Sequence, residues 1–216
     1  MMPPDFTRIL TEAPAVTPEV KDNPRVAYFR QKLGQLVGWM THEDEKFLVD
    51  WLPQVALAYK RYPMRIVEIG TFLGSTARGL IGLSGGGTIT CVDNWRDVHE
   101  SNPRAAWEKT LRSNGMDLLA HATLIEGDVR AIGATWAKNA DLLLVDADHS
   151  YESASADLRD FGARVVHGGY CLVDDLDLPD VEKAAKEFFV PRVWEVIRFP
   201  MKSEGKLGCW RRKALL

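Results

Sequence analysis

The chain has 216 residues, a formal net charge of −3, and a composition of 46% hydrophobic and 26% charged residues. This length is enough for one sizeable domain, and the composition is that of a globular protein. The slight negative charge does not favour nucleic-acid binding, and no apolar stretch approaches the length of a membrane span. The N-terminus shows no signal-peptide pattern, and the three cysteines fall inside apolar segments. These features predict free thiols and a reducing, cytoplasmic location.

The N-terminal segments are predicted to form an arm followed by helices. Residues 1–25 hold five of the eleven prolines and show no clear periodicity, which predicts an irregular arm. A short helix is expected near residues 25–37. Residues 41–60 then predict a helix with Thr41 as its N-cap and Asp44 three residues later. The apolar stripe of this helix would pack on the sheet or form a lid or dimer face.

The remainder of the chain alternates between strands and helices. Five strands are predicted, the fourth apolar enough to be buried on both faces, at 65–70, 88–93, 122–128, 141–148 and 168–175. The helices that follow them are predicted at 75–83, 104–115, 153–165 and 180–189. Two last strands, at 193–199 and 206–213, are expected to pair antiparallel, with residues 210–213 on a solvated edge. The pattern predicts an α/β fold with a seven-stranded sheet, mostly parallel with a C-terminal antiparallel hairpin, and helices on both faces.

Polar residues follow the first strand, and the carboxyl ends of strands are where ligands bind in such sheets. The sequence there reads EIGTFLGST, starting at Glu68. Glu68 takes the position that a dinucleotide-binding loop gives to its first glycine, whereas Gly70 and Gly74 supply a glycine loop. An acidic residue in this loop would repel a phosphate but suits a cationic ligand. The alternative is a glycine loop that only turns the chain.

Acidic residues also follow the second and third strands. Asp93 lies where a carboxylate can accept hydrogen bonds from both hydroxyls of a ribose, and the alternative is a helix cap or a turn. Asp128 can accept a hydrogen bond from an adenine amine, with Val129 beside the ring, or it belongs to a turn. Trp95, on the loop after Asp93, either stacks on adenine or a substrate or packs in the core.

The fourth and fifth strands end in VDADH and LVDDLD. Because these strands are expected to be neighbours, Asp146 can face Asp174 and Asp175. Three carboxylates repel one another unless a cation neutralises them, and an all-oxygen ligand set suits Mg²⁺. The alternatives are that these acids cap the following helices or that one of them is neutral. His149 lies in the same segment, and Ser150 is the predicted N-cap of the next helix.

The strand-end motifs at Glu68, Asp93 and Asp128, together with the terminal hairpin, resemble class I S-adenosylmethionine-dependent methyltransferases over roughly residues 45–213. The resemblance implies a Rossmann-like doubly wound sheet and S-adenosylmethionine as cofactor. It also implies a methyltransferase domain at 45–216, preceded by an N-terminal arm and helical extension at 1–44. The residues expected to contact the cofactor are Glu68, Gly70, Thr71, Gly74, Ser75, Asp93, Asn94, Trp95, Asp128, Val129, Asp146 and Asp148.

Two later segments resemble the metal-dependent O-methyltransferases within that class. Catechol and caffeoyl-coenzyme A O-methyltransferases carry a metal aspartate and an Asp-Asn pair, and these roles fall on Asp146, Asp174 and Asp175, the last in place of asparagine. Sugar O-methyltransferases of macrolide pathways carry an acidic pair there, and their histidine base falls on His149. The catechol branch also has a lysine in this region, which is absent here, so the resemblance leans towards the sugar type.

This resemblance implies methyl transfer to a hydroxyl of a small molecule, such as a sugar or a catechol-like natural product. Asp146, Asp174 and Asp175 would hold Mg²⁺, two neighbouring acceptor oxygens would chelate it, and His149 would accept the proton. Asp148 would either orient His149 or contact the cofactor. Relatives often use N-terminal helices for subunit contacts, so a homo-oligomer is compatible with the resemblance. The alternatives are a metal-independent N- or C-methyltransferase, a non-catalytic cofactor-binding protein, or a nicotinamide-dependent oxidoreductase.

Overall fold

The computed structural model describes residues 24–31, 40–59, 63–96, 98–113, 115–200 and 205–214. The arm predicted at 1–25 lies almost entirely outside these ranges, as does the later part of the helix expected near 25–37. In the described part of the chain, no helix has the length and apolar character needed to cross a membrane.

Strands and helices alternate along the described chain. The strands are β1 (Arg65–Ile69), β2 (Thr88–Asp93), β3 (Ala122–Glu126), β4 (Ala140–Val145), β5 (Val165–Val173), β6 (Trp194–Arg198) and β7 (Gly208–Arg212). The α-helices are α1 (Pro24–Gln31), α2 (His42–Ala58), α3 (Ser75–Leu83), α4 (Pro103–Leu111), α5 (Val129–Gly133), α6 (Tyr151–Asp160) and α7 (Pro179–Phe188). Turns of 3-10 helix at Leu119–His121 and Gly162–Arg164 precede β3 and β5.

All seven strands form one sheet in the order β3-β2-β1-β4-β5-β7-β6. Strands β1 to β5 pair parallel, and β7 runs antiparallel to both of its neighbours, which confirms the predicted fold. The prediction that residues 210–213 form a solvated edge is wrong, because β7 lies between β5 and β6 and Trp210 is buried. The chain order of the strands reverses between β1 and β4, which is where such sheets open a ligand cleft.

Both faces of the sheet are covered, as predicted for its central strand. Leu142 and Leu144 of β4 pack in the apolar cluster that includes α2 and α3. Leu143 and Val145 point to the other face and pack with α6 and α7. The helices therefore hold the sheet from both sides and leave its carboxyl edge open.

Several predicted boundaries differ from the structure, such as the helix predicted at 104–115, which ends at Leu111, and the strand predicted at 141–148, which ends at Val145. Two other differences have a local reason. The helix predicted at 153–165 ends at Asp160. Val165 fits the apolar spacing of that helix in the sequence, but in the structure it is the first residue of β5. The strand predicted at 122–128 ends at Glu126, and Asp128 instead caps α5. This five-residue helix is too short to produce a readable helical period in the sequence.

Candidate active site

A cavity of about 870 Å³ opens at the carboxyl edge of the sheet, beside the point where strand order reverses. Its volume lies in the range typical of small-molecule sites. The predicted site residues that line it are Gly70, Thr71, Ser75, Asp93, Asn94, Trp95, Asp128, Val129, Asp146, Asp148, His149, Asp174 and Asp175. Glu68 and Gly74, the other two predicted cofactor contacts, are not among its lining residues.

The loop after β1 passes very close to the end of β4. Gly70 has a φ of +83°, and a Cβ atom added there would lie 1.8 Å from the carbonyl oxygen of Asp146. Gly74 has a φ of +82° and precedes α3, and a Cβ there would meet the ring of Trp107 at 2.7 Å. Only glycine fits either position without displacement, and of the two Gly70 lines the cavity and forms its floor.

Glu68 lies beneath this floor rather than in the cavity. Its side chain is fully buried, the Cys91 thiol donates to Oε2 at 3.3 Å, and Oε1 has no partner among the described residues. Burial raises the pKa of Glu68 to about 7. Above it, Thr71 accepts a hydrogen bond from Trp107 Nε1 at 3.1 Å. A contribution of Glu68 to a cationic ligand would therefore be electrostatic and indirect.

Asp93 joins two loops at the rim. Its Oδ2 accepts the backbone N–H of Phe72 at 2.8 Å, and its Oδ1 accepts that of Trp95 at 2.8 Å. Trp95 is largely buried and donates its indole N–H to the Phe72 carbonyl at 2.6 Å, so its packing role is evident. Each oxygen of an ionised carboxylate can accept more than one hydrogen bond, so Asp93 retains capacity for ligand hydroxyls.

Asp128 and Asp148 both take part in local caps and turns. Asp128 Oδ1 accepts the backbone N–H of Ala131 at 2.9 Å and caps α5, while the side chain stays exposed at the cavity. Asp148 Oδ1 accepts the N–H of Ser150 at 2.8 Å, and these hydrogen bonds lower the pKa of Asp148. Ser150 caps α6 as predicted. The carboxylate that contacts the His149 ring is that of Asp175.

The acidic cluster of Asp146, Asp174 and Asp175 forms where β4 and β5 end, as the sequence predicts. His149 Nε2 lies 2.8 Å from Asp175 Oδ2, and this hydrogen bond raises the pKa of His149. Burial and the two neighbouring aspartates raise the pKa of Asp146, and burial raises the pKa of Asp174 to about 6. Burial acts in the same direction on Asp175, but hydrogen bonds from His149 and Lys206 outweigh it and lower that pKa to about 2.

Lys206 is the functional candidate that sequence analysis missed. Its ammonium group contacts Asp175 Oδ1 and lies 3.4 Å from Asp174 Oδ2, with its side chain only 17% exposed. The sequence predicts only a strand for the segment 206–213. Because β7 is antiparallel to β5, however, a residue that precedes β7 lies at the same edge as residues that follow β5.

A buried acid on α6 was missed as well. Asp157 is 2% exposed and lines the cavity, and burial raises its pKa to about 7. One turn earlier on α6, Ser153 accepts a hydrogen bond from Arg130 Nη2 at 2.9 Å. In the sequence, the only indication of this pair is that Ser153 and Asp157 are four residues apart and so share one face of the predicted helix. A polar pair on a helix usually faces solvent, so this spacing does not predict a buried acid.

The predicted Mg²⁺ can be tested against these residues. Asp146, His149 and Asp175 each offer one ligand atom, all within 4.8 Å of one another, and Asp174 Oδ1 is buried without a partner among the described residues. The donor chemistry is therefore suitable. The arrangement is not, because the Lys206 ammonium group contacts one oxygen of Asp175 and lies 3.4 Å from Asp174 Oδ2. An ammonium group already stands among the carboxylates, so the site as built does not fit a metal ion.

Comparison with known proteins agrees with this fold. Residues 67–176 match the profile of a family described as a methyltransferase domain. The match spans just over half of the chain, and the protein belongs to this methyltransferase family. Comparison with curated protein sequences found no match.

The solved structures that share this fold are named as different kinds of methyltransferase. A putative caffeoyl-CoA O-methyltransferase from Staphylococcus aureus is 13% identical, with a TM-score of 0.59 over 88% of this chain and 94% of that one. A TDP-rhamnose 3'-O-methyltransferase of calicheamicin biosynthesis is 17% identical, with a TM-score of 0.55 over 95% and 98%. A putative rRNA-methylase from Clostridium thermocellum is 16% identical, with a TM-score of 0.56 over 74% and 94%. The chain spans 48% of the length of TrmN from Thermus thermophilus. At these identities the likeness establishes the fold alone.

The cavity fits S-adenosylmethionine, the methyl donor of this class. That molecule carries a sulfonium and no phosphate, and the acids Asp93, Asp128, Asp146 and Asp148 lining the cavity suit a positively charged ligand. At Gly70 the backbone approach leaves no room for a side chain.

Proposed function

We propose that this protein transfers a methyl group from S-adenosylmethionine to a hydroxyl of a small molecule, with His149 as the base. The observation that carries the proposal is the pair formed by His149 and Asp175 inside a cavity whose other walls suit the methyl donor. A base held by a carboxylate is the arrangement that removes a proton from a hydroxyl. The two named O-methyltransferases of the same fold support a hydroxyl acceptor.

S-adenosylmethionine, when bound, supplies an electrophilic methyl group. Gly70, Thr71 and Ser75 would hold it from the loop after β1, and the Asp93 carboxylate would accept hydrogen bonds from its ribose. Val129 and Asp128 would contact the adenine. Asp146 lies between this part of the cavity and the base, because its carbonyl touches the Gly70 loop while its carboxylate joins the acidic cluster.

His149 performs the proton transfer in this proposal. The Asp175 carboxylate accepts a hydrogen bond from the Nε2–H group of His149. Nδ1 is then the nitrogen that takes the proton of the acceptor hydroxyl. The imidazolium that results remains paired with the Asp175 carboxylate, which stabilises the charged product of the step. The side chain of His149 is 49% exposed, so an acceptor entering the cavity can reach it. No step is assigned to a metal.

Methyl transfer from radiolabelled S-adenosylmethionine to a panel of catechols, flavonoids and deoxysugar glycosides tests this function, with and without Mg²⁺. We expect transfer to at least one hydroxyl acceptor and its loss in His149→Asn. An added arm with ribosomal and transfer RNA addresses the rRNA-methylase of similar fold. Transfer to RNA alone, or to none of the acceptors despite cofactor binding, would refute the proposal. The Mg²⁺-assisted reaction predicted from the sequence would require activity to disappear on chelation.

A further inference from the structure

The backbone around Lys206 is fixed from two sides. Its N–H donates to Asp44 Oδ2 at 3.0 Å, and its carbonyl accepts the N–H of Leu176 at 2.9 Å. The following N–H, of Leu207, donates to Asp44 Oδ1 at 3.1 Å. Asp44 is fully buried in the first turn of α2 and also pairs with Arg198 at 2.7 Å. Lys206 is therefore built into this position from the main chain, unlike a surface lysine that bends towards an acid.

The side chain of Lys206 faces the acidic cluster. It contacts one oxygen of Asp175, approaches Asp174, and lines the cavity that holds Asp146. An ammonium group has three N–H bonds, and the hydrogen bond to Asp175 uses one of them, which leaves N–H groups for an oxygen in the cavity.

We propose that Lys206 is the cation of this site: its ammonium group offsets part of the negative charge of the acidic cluster and hydrogen-bonds the acceptor oxygen, so that methyl transfer needs no divalent metal. This inference rests on the proposed function. During the reaction the hydroxyl proton passes to His149 and the oxygen forms the new bond to the methyl carbon, whose bond to sulfur breaks. Lys206 keeps its own proton and stabilises the negative charge that develops on the oxygen.

A consequence concerns the acceptor. Chelation of a metal requires two adjacent oxygens, whereas a lysine N–H needs only one hydrogen-bond acceptor. The acceptor class therefore extends from vicinal diols to compounds with a single reactive hydroxyl. Like charges repel, so the same ammonium also weakens the binding of a divalent ion by the carboxylates.

Binding of Mn²⁺, followed by electron paramagnetic resonance and calorimetry on the full chain, tests the proposal without reference to activity. We expect no stoichiometric Mn²⁺ binding by the wild type and at least tenfold tighter binding by Lys206→Met. Lys206→Arg keeps the charge and should resemble the wild type. Lys186→Met is the matched control, because Lys186 also pairs with a carboxylate, that of Glu182, but lies outside the cavity lining.

One Mn²⁺ bound by the wild type, or no gain in a folded Lys206→Met, would overturn the proposal. If Lys206→Met does not fold, absence of binding by both wild type and Lys206→Arg supports it, and binding by either overturns it. Methyl-transfer assays after exhaustive chelation distinguish a failure of the proposed role of Lys206 from a failure of the proposed function. Activity that requires added Mg²⁺ overturns the role of Lys206 while the methyltransferase function stands. Absence of transfer under all conditions contradicts the function, and the Mn²⁺ result still decides the cation.

Discussion

Replacement of Glu68 by glutamine should change the pH dependence of folding stability. Burial raises the pKa of Glu68 from its ordinary value of 4.5 to about 7 in the folded protein. Below pH 4.5 the carboxyl is protonated in both states and has no effect on the free energy of unfolding. Between pH 4.5 and 7 only the unfolded chain loses the proton, so stability falls as pH rises, and above pH 7 the penalty is constant.

The size of this penalty follows from the same values. A pKa difference between 4.5 and about 7 corresponds to about 3 kcal/mol, at about 1.4 kcal/mol for each pH unit. Glutamine has nearly the same shape and does not ionise. We therefore expect the stability of Glu68→Gln relative to wild type to increase by about 3 kcal/mol between pH 4.5 and pH 8.

Urea unfolding of the ligand-free protein, followed by circular dichroism at several pH values, measures this difference. The difference between variant and wild type removes the effect of Asp174 and most of that of Asp146, whose pKa is raised mainly by burial and the two neighbouring aspartates and to a smaller extent by Glu68 itself. Glu126→Gln is the control, because Glu126 is 52% exposed at the end of β3 and the same substitution there removes no buried carboxyl group. A stability difference that does not vary with pH would show that the reasoning about Glu68 is wrong.

Three further substitutions give expected outcomes of different kinds. His149→Asn should lower kcat by about 10²- to 10⁴-fold with little change in cofactor affinity, whereas His167→Asn, outside the cavity lining, should not; equal losses would refute the base assignment. Gly70→Ala should cost at least about 3 kcal/mol and abolish cofactor binding, measured by thermal unfolding and calorimetry, since its Cβ meets a backbone oxygen at 1.8 Å. Asp141→Ala removes a buried partner of Arg65 and should cost about 3 kcal/mol in urea unfolding while leaving activity at low temperature intact.

Much of the site could be predicted because parallel strands end at one edge. Once strands were recognised from apolar runs, Asp93, Asp128 and Asp146 had to lie along that edge, whatever the details of the loops. The sequence places Glu68 near the end of the first strand, as the structure does, but it does not reveal that the side chain is fully buried. Side chains alternate along a strand, and Glu68 shares with Ile66 the face that packs against α2 and α3. The sequence does not reveal how deeply that face is covered.

Lys206 could not be predicted for a different reason. Its relation to Asp175 depends on where the hairpin strand β7 enters the sheet, and the sequence predicted the hairpin but placed residues 210–213 at an edge. Insertion of β7 beside β5 brings the start of one strand next to the end of the other. The charge of this neighbourhood therefore depends on strand order rather than on any local motif.

The position of Asp44 links the helix before the sheet to the candidate active site. Its carboxylate accepts N–H groups from Lys206 and Leu207 while Thr41 and Arg198 hold it in place, so the first turn of α2 determines where the Lys206 main chain lies. A divalent ion would have required only acids at the strand ends. A lysine in the same role requires this additional support, because four flexible bonds separate its ammonium group from the backbone. The buried cap of α2 thus has a use beyond the stability of the helix, which is to place a positive charge where three carboxylates meet.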